Sequence, residues 1–138
     1  MTRVFILEDE IYKHPRNKIL QVLDKPKVSL TVATNVELAK KIYVPGAYDL
    51  LLLDHDMHGF PDSSDVPNCG YQFILWMLNE EWRIGGGSFK KKPPAIIHSQ
   101  NHTGAAKMVK ELTAAGYTAE HKYFSDDYVN WLALNVRG

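Results

Sequence analysis

Three polar clusters stand directly after apolar runs in this 138-residue chain: Glu8-Asp9-Glu10 after RVFIL at 3–7, Asp54-His55-Asp56 after LLLL at 50–53, and His98-Ser99-Gln100-Asn101 after AII at 95–97. Gathered in one crevice, Glu8, Asp9, Asp54 and Asp56 would repel one another by several kcal/mol, so a divalent cation is their natural companion. Hard oxygen ligands of this kind suit Mg2+ or Mn2+. His55 and His98 could act as general acid and base on a phosphoester, with Asp54 beside them, or could ligate a softer metal. Ser99 and Asn101 offer hydrogen bonds to phosphate oxygens. Arg16, in the first turn after the acidic loop, could reach a phosphate, and a solvated side chain is its competing reading. The competing readings are ordinary ones: carboxylates that fan out into water, and histidines packed under helices with one satisfied nitrogen. His14, His58, His102 and His121 lie in less suggestive positions.

The elements that must position these residues are legible from apolar spacing. RVFIL reads as a strand buried on both faces of a parallel sheet. Pro15 can open a helix whose apolar positions are Ile19, Leu20, Val22 and Leu23. Residues 28–33 read as a partly exposed strand, and Asn35 as the cap of a helix ended by Pro45-Gly46. The strongest strand is 48–53, followed by a polar stretch and an aromatic-rich helix over 71–82. Residues 95–97 form a short strand and 104–115 a helix that Gly116 can terminate. Residues 117–124 are a weak fifth strand, and Ser125 can cap a last helix. Strands alternating with helices imply a doubly wound five-stranded parallel sheet in an α/β fold. Its ligand site lies beyond the carboxyl ends of the strands. That rule nominates the three clusters above, together with Thr34, Asn35 and Lys122.

Composition bounds the function classes. Hydrophobic residues make up 45% and charged ones 23%, ordinary for a globular domain and unlike a disordered chain. The expectation is a single domain over 1–138, with an insertion at 60–69 and a flexible loop at 85–94. Sixteen basic residues balance sixteen acidic ones, which argues against broad attraction to nucleic acid or anionic membrane. The Lys90-Lys91-Lys92 run precedes the fourth strand, so it falls at the pole opposite the site. One cysteine, Cys69, excludes an internal disulfide and fits a reducing compartment. No apolar run approaches bilayer length, and the first ten residues meet carboxylates too early for a signal-peptide core. A cytoplasmic protein is expected. The aromatic stripe from Tyr71 to Trp82 reads as core, with a spare face as the route to a homodimer.

The strand-end motifs resemble the receiver domain of bacterial response regulators over nearly the whole chain. RVFILEDE at 3–10 is similar to the receiver's first strand and acidic pair, which implies a magnesium site. YDLLLLDHDMHG at 48–59 is similar to the third strand, implying Asp54 as the phosphoacceptor. PAIIHS at 94–99 places Ser99 at the phosphoryl-contacting position, and the 114–124 region places Lys122 at the phosphate-pairing one. The resemblance implies the flavodoxin-like strand order 2-1-3-4-5. His55 and His98 stand where ordinary receivers carry aliphatic residues. Asp-His-Asp with His-Ser-x-Asn is closer to a divergent receiver-like family proposed to process cyclic phosphates. The leading expectation is a metal-dependent protein that processes or binds a phosphate-containing small molecule or nucleotide. The alternatives are a stand-alone receiver phosphorylated on Asp54 by a histidine kinase, and a module that sequesters a nucleotide without turnover.

Overall fold

A computed structural model of the chain describes residues 1–57, 63–85 and 92–137. His58, the first part of the 60–69 insertion, Lys90, Lys91 and most of the 85–94 loop lie outside the described residues. The elements run β1 (Thr2–Leu7), α1 (Lys18–Leu23), β2 (Val28–Ala33), α2 (Val36–Ile42), β3 (Leu50–Leu53), α3 (Gly70–Gly85), β4 (Ala95–Ile97), α4 (His102–Ala114), β5 (Ala119–His121) and α5 (Asp126–Asn135). The five strands form one parallel sheet in the order β2-β1-β3-β4-β5, as anticipated.

Strand parity divides the core. Val4, Ile6, Leu50, Leu52 and Ile96 pack with Ile19 and Leu23 of α1 and with Tyr128 and Leu132 of α5. Phe5, Leu7, Leu51, Leu53, Ala95 and Ile97 face the other way, onto Phe73, Ile74 and Met77 of α3 and Met108 and Leu112 of α4. Runs that are apolar at every position are what a sheet covered on both faces requires.

The element ends carry the local chemistry expected of them. Asn35 Oδ1 accepts from Leu38 N at 2.8 Å, Asn101 Oδ1 from Gly104 N at 2.9 Å, and Ser125 Oγ from Tyr128 N at 3.1 Å, each satisfying a first-turn amide. Gly116 takes φ 94° after α4, a conformation that disfavours side chains. The first helix departs from expectation. It begins at Lys18 rather than near Pro15, because Lys18 N and Ile19 N bond back only three residues, to Pro15 and Arg16 oxygens. A turn-rich connection therefore holds Arg16 over the strand ends. The aromatic stripe of α3 is core at Phe73, Ile74 and Met77, whereas Trp82 is 67% exposed.

Candidate functional site

The register dictates which strand-end residues meet. Leu7 pairs with Leu53, and Leu53 with Ile97, so Glu8, Asp54 and His98 occupy the next row across β1, β3 and β4. They continue the parity of Ile6, Leu52 and Ile96, toward α1 and α5. All three are nearly or fully buried, at 1%, 5% and 0% exposure. Their ligand-capable atoms lie within 4.8 Å of one another. The crevice above them has a volume of about 290 Å³ and is lined by Glu8, Asp9, Glu10, Arg16, Asp54, Asp56 and Gln100.

Electrostatics at the crevice floor follow from two carboxylates sharing a dry space. Burial, reinforced by the Glu8 charge, pushes the Asp54 carboxyl up to about 7, although His98 and Arg16 oppose the rise. Burial pushes His98 down to about 4; Asp54 opposes this shift, and Arg16 and His121 add to it. A neutral His98 accounts for its partners. Nε2–H donates to Glu8 Oε1 at 3.1 Å and the Tyr128 hydroxyl donates to Nδ1 at 3.3 Å, so the contact with Glu8 is a hydrogen bond rather than an ion pair. The Arg16 guanidinium lies 3.6 Å from Glu8 Oε1, reaches the His98 carbonyl at 3.4 Å and stacks on Phe124 at 4.3 Å from the ring centre. Among the described residues it is the cation lining the crevice, and its stacked, planar head is set for contact with a phosphate.

His55 stands apart from His98. It lies one residue further past its strand, so parity turns it toward α4, on the opposite side of the sheet. It is fully buried, with Nδ1 2.7 Å from Asp56 Oδ1 and Nε2 3.1 Å from Ser64 Oγ. Hydrogen-bond logic places the proton on Nδ1 and makes Nε2 the acceptor from Ser64. Asn101 Nδ2 also donates to Asp56 Oδ1, at 3.0 Å. His55 and Asn101 thus hold from behind a carboxylate that lines the crevice. The two histidines expected to act together on one phosphoester are not brought together.

The remaining candidates divide. Asp9 lines the crevice but is outside the closest ligand-capable set of Glu8, Asp54 and His98, as is Asp56. Ser99 is fully buried and its Oγ accepts from Asn101 N at 3.0 Å, so the hydroxyl shapes the β4–α4 turn. Lys122 does not reach the crevice: its Nζ lies 3.7 Å from Glu120 and 4.8 Å from the centre of the Trp131 ring. It shares the row of His98, but α5 presents an indole face that captures the ammonium. His102 and His121 group with Tyr123, and His121 Nε2 donates to the Ser99 carbonyl at 2.5 Å.

Ser64 was not anticipated. It lies in the polar stretch after β3, and the antiparallel bridge of Asp56 with Cys69 closes that stretch back onto the strand end. Only closure of the excursion brings Ser64 to His55; no spacing rule marks it. Gly70 seals the junction. A Cβ there would sit 1.9 Å from the Asp54 carbonyl oxygen.

Comparisons with known proteins bear on the family and the fold. The family described as the cyclic-phosphate processing Receiver domain matches residues 5–114. Among solved structures, the chain is similar to the non-phosphorylated HemR receiver domain of Leptospira biflexa, with TM-score 0.61 and 17% identity over 100% of this chain and 98% of that one. It is similar to the response regulator domain of Thermotoga maritima CheB, with TM-score 0.58 and 13% identity over 97% and 89%. Thermotoga maritima TrrA in complex with Mg(2+)-BeF matches with TM-score 0.50 and 20% identity over 95% of both chains. At these identities the structural matches establish the fold alone. No curated protein sequence matches the chain. Among the described residues, no helix is long and apolar enough to cross a membrane.

Proposed function

The chain belongs to the cyclic-phosphate processing Receiver domains, and on that basis we propose that its crevice binds a divalent cation, Mg2+ or Mn2+, and processes a phosphate-bearing ligand such as a cyclic nucleotide or cyclic phosphate. The observation that carries the reading is the pairing of two buried carboxylates, Glu8 and Asp54, with the Arg16 guanidinium in one crevice. Two carboxylates crowded in a dry floor fit a cation, and a cation there would neutralise phosphate oxygens. Glu8 and Asp54 hold it, with Asp9 and Asp56 at the rim. Arg16 grips the phosphate in place of Lys122, which is held by Trp131 and Glu120. Asp56 is the base that takes a proton from an attacking water as the ring P–O bond opens and the released ring oxygen is protonated from solvent, and the His55 and Asn101 hydrogen bonds fix its orientation. His98, bonded to Glu8, is part of the floor.

A second reading, a receiver phosphorylated on Asp54, is favoured by the place of Asp54 at the end of β3 beside Glu8. One experiment separates the two. The protein is incubated with Mg2+ or Mn2+ and a panel of linear and cyclic nucleotides, followed by analysis of bound and product species; a parallel sample receives a small phosphodonor and is weighed intact. The expected result is conversion or tight binding of a cyclic phosphate, impaired at least tenfold in Asp54→Asn, Asp56→Asn and Arg16→Ala. A lasting phosphoryl adduct that vanishes in Asp54→Asn but ignores Asp56→Asn and Arg16→Ala establishes the second reading instead. Binding without product identifies a sequestering module.

A further inference from the structure

We propose that His98 Nε2 is a metal ligand, which makes the crevice a mixed nitrogen and oxygen site that selects a transition-metal ion over Mg2+. The inference rests on the reading of the crevice as a cation site and concerns which ion it takes. Three observations carry it. First, the shared row of β1, β3 and β4 sets an imidazole beside Glu8 and Asp54, with all three candidate donor atoms within 4.8 Å. Second, His98 Nε2 and Glu8 Oε1 are 3.1 Å apart. Ligands at about 2.0–2.2 Å from one ion lie roughly 3 Å from each other when they occupy neighbouring positions, so these two atoms are already spaced to share one. Third, the other ring nitrogen faces the Tyr128 hydroxyl at 3.3 Å, and the ring packs on Tyr128 at 5.7 Å between centres.

That third contact is the support metal-bound histidines need. With a metal on the Nε2 lone pair, the single ring proton would sit on Nδ1, where the Tyr128 oxygen is positioned to accept a hydrogen bond from it. Two carboxylates and one imidazole leave coordination positions open toward the crevice, as catalytic sites do. Imidazole suits first-row transition ions such as Fe2+, Co2+, Ni2+ and Zn2+ and is accepted by the harder Mn2+, whereas Mg2+ prefers oxygen alone.

The test uses the metal ions themselves on the full chain. Calorimetric titrations compare Co2+, Mn2+ and Mg2+ for wild type and His98→Gln, which replaces the imidazole with an amide. The expected result is that the substitution weakens Co2+ and Mn2+ at least tenfold while leaving Mg2+ within about twofold. Wild-type protein loaded with Mn2+ should show nitrogen hyperfine coupling from an imidazole, a readout that holds if His98→Gln fails to fold. Divalent ions that bind with equal preference in both proteins, or Mn2+ without nitrogen coupling, overturn the ligand role of His98 and leave the cation site intact. Failure of every divalent ion to bind overturns both this inference and the function it rests on.

Discussion

Asp54 and His98 respond to pH in opposite directions, and the metal-free protein should reveal it. A carboxyl raised from 3.8 to about 7 is stabilising while protonated, so its contribution is complete below the unfolded value and is lost as pH rises from about 4 through 7. An imidazole lowered from 6.5 to about 4 contributes fully above 6.5 and loses that contribution as pH falls toward 4. Between about pH 4 and 6.5 the two slopes offset each other in the wild type. Asp54→Asn should therefore gain stability relative to wild type as pH rises across that window, by on the order of a few kcal/mol. His98→Gln should show the contrary trend. Urea unfolding with a chelator present, at pH 5 and pH 7.5, measures both differences. Parallel curves for wild type and Asp54→Asn would show that Glu8 and Asp54 do not share a dry floor.

The helices position the crevice by approaching the strand ends more closely than a side chain allows. A Cβ on Gly104, in the first turn of α4, would lie 2.4 Å from the His55 ring. On helix propensity alone Gly104→Ala should stabilise by about 1 kcal/mol. The collision reverses the sign, and a loss of about 1–3 kcal/mol is expected. In a His55→Ala background the same substitution should be neutral or favourable, which a double-mutant cycle of thermal or urea unfolding reads directly. Equal losses in both backgrounds would mean that α4 is not seated on His55. The N-terminus of α4 also links two functions, since Asn101 caps the helix through Oδ1 and holds Asp56 through Nδ2. A cap that is also a carboxylate anchor ties the order of the helix to the order of the crevice.

The sheet separates two apolar layers, and its opposite faces should behave independently. Ile74 packs in the layer under α3 and α4, and Ile19 in the layer under α1 and α5. Ile74→Val and Ile19→Val should each cost about 0.5–1.5 kcal/mol. The double variant should cost their sum to within about 0.5 kcal/mol, because no side chain is shared between the clusters. A clear departure from additivity in urea unfolding would point to coupling through the sheet. A third polar feature lies at the far end of α3, where buried Glu81 accepts from the Tyr117 and Tyr43 hydroxyls, linking α3 to α2 and to the α4–β5 connection. Burial raises the Glu81 carboxyl, opposed by those hydroxyls and by Lys92.

Apolar spacing, with Pro, Gly and cap residues as boundaries, determined the order of strands and helices along the chain, because RVFIL, LLLL and AII alternating with helical patterns fit strands of a sheet covered on both faces. The same spacing located the crevice, since polar residues directly after such runs must emerge at the carboxyl edge. The helix caps Asn35 and Ser125 were equally legible, being local in sequence. What each strand-end side chain faces was decided by register and parity. Leu7, Leu53 and Ile97 align, so Glu8, Asp54 and His98 meet, while His55, displaced by a single residue, turns to the other face. Arg16 over the floor, Lys122 captured by Trp131 and Ser64 returned to His55 are contacts between segments distant in the chain. They depend on where α1, α5 and the excursion after β3 come to rest, and only packing of the whole molecule sets that.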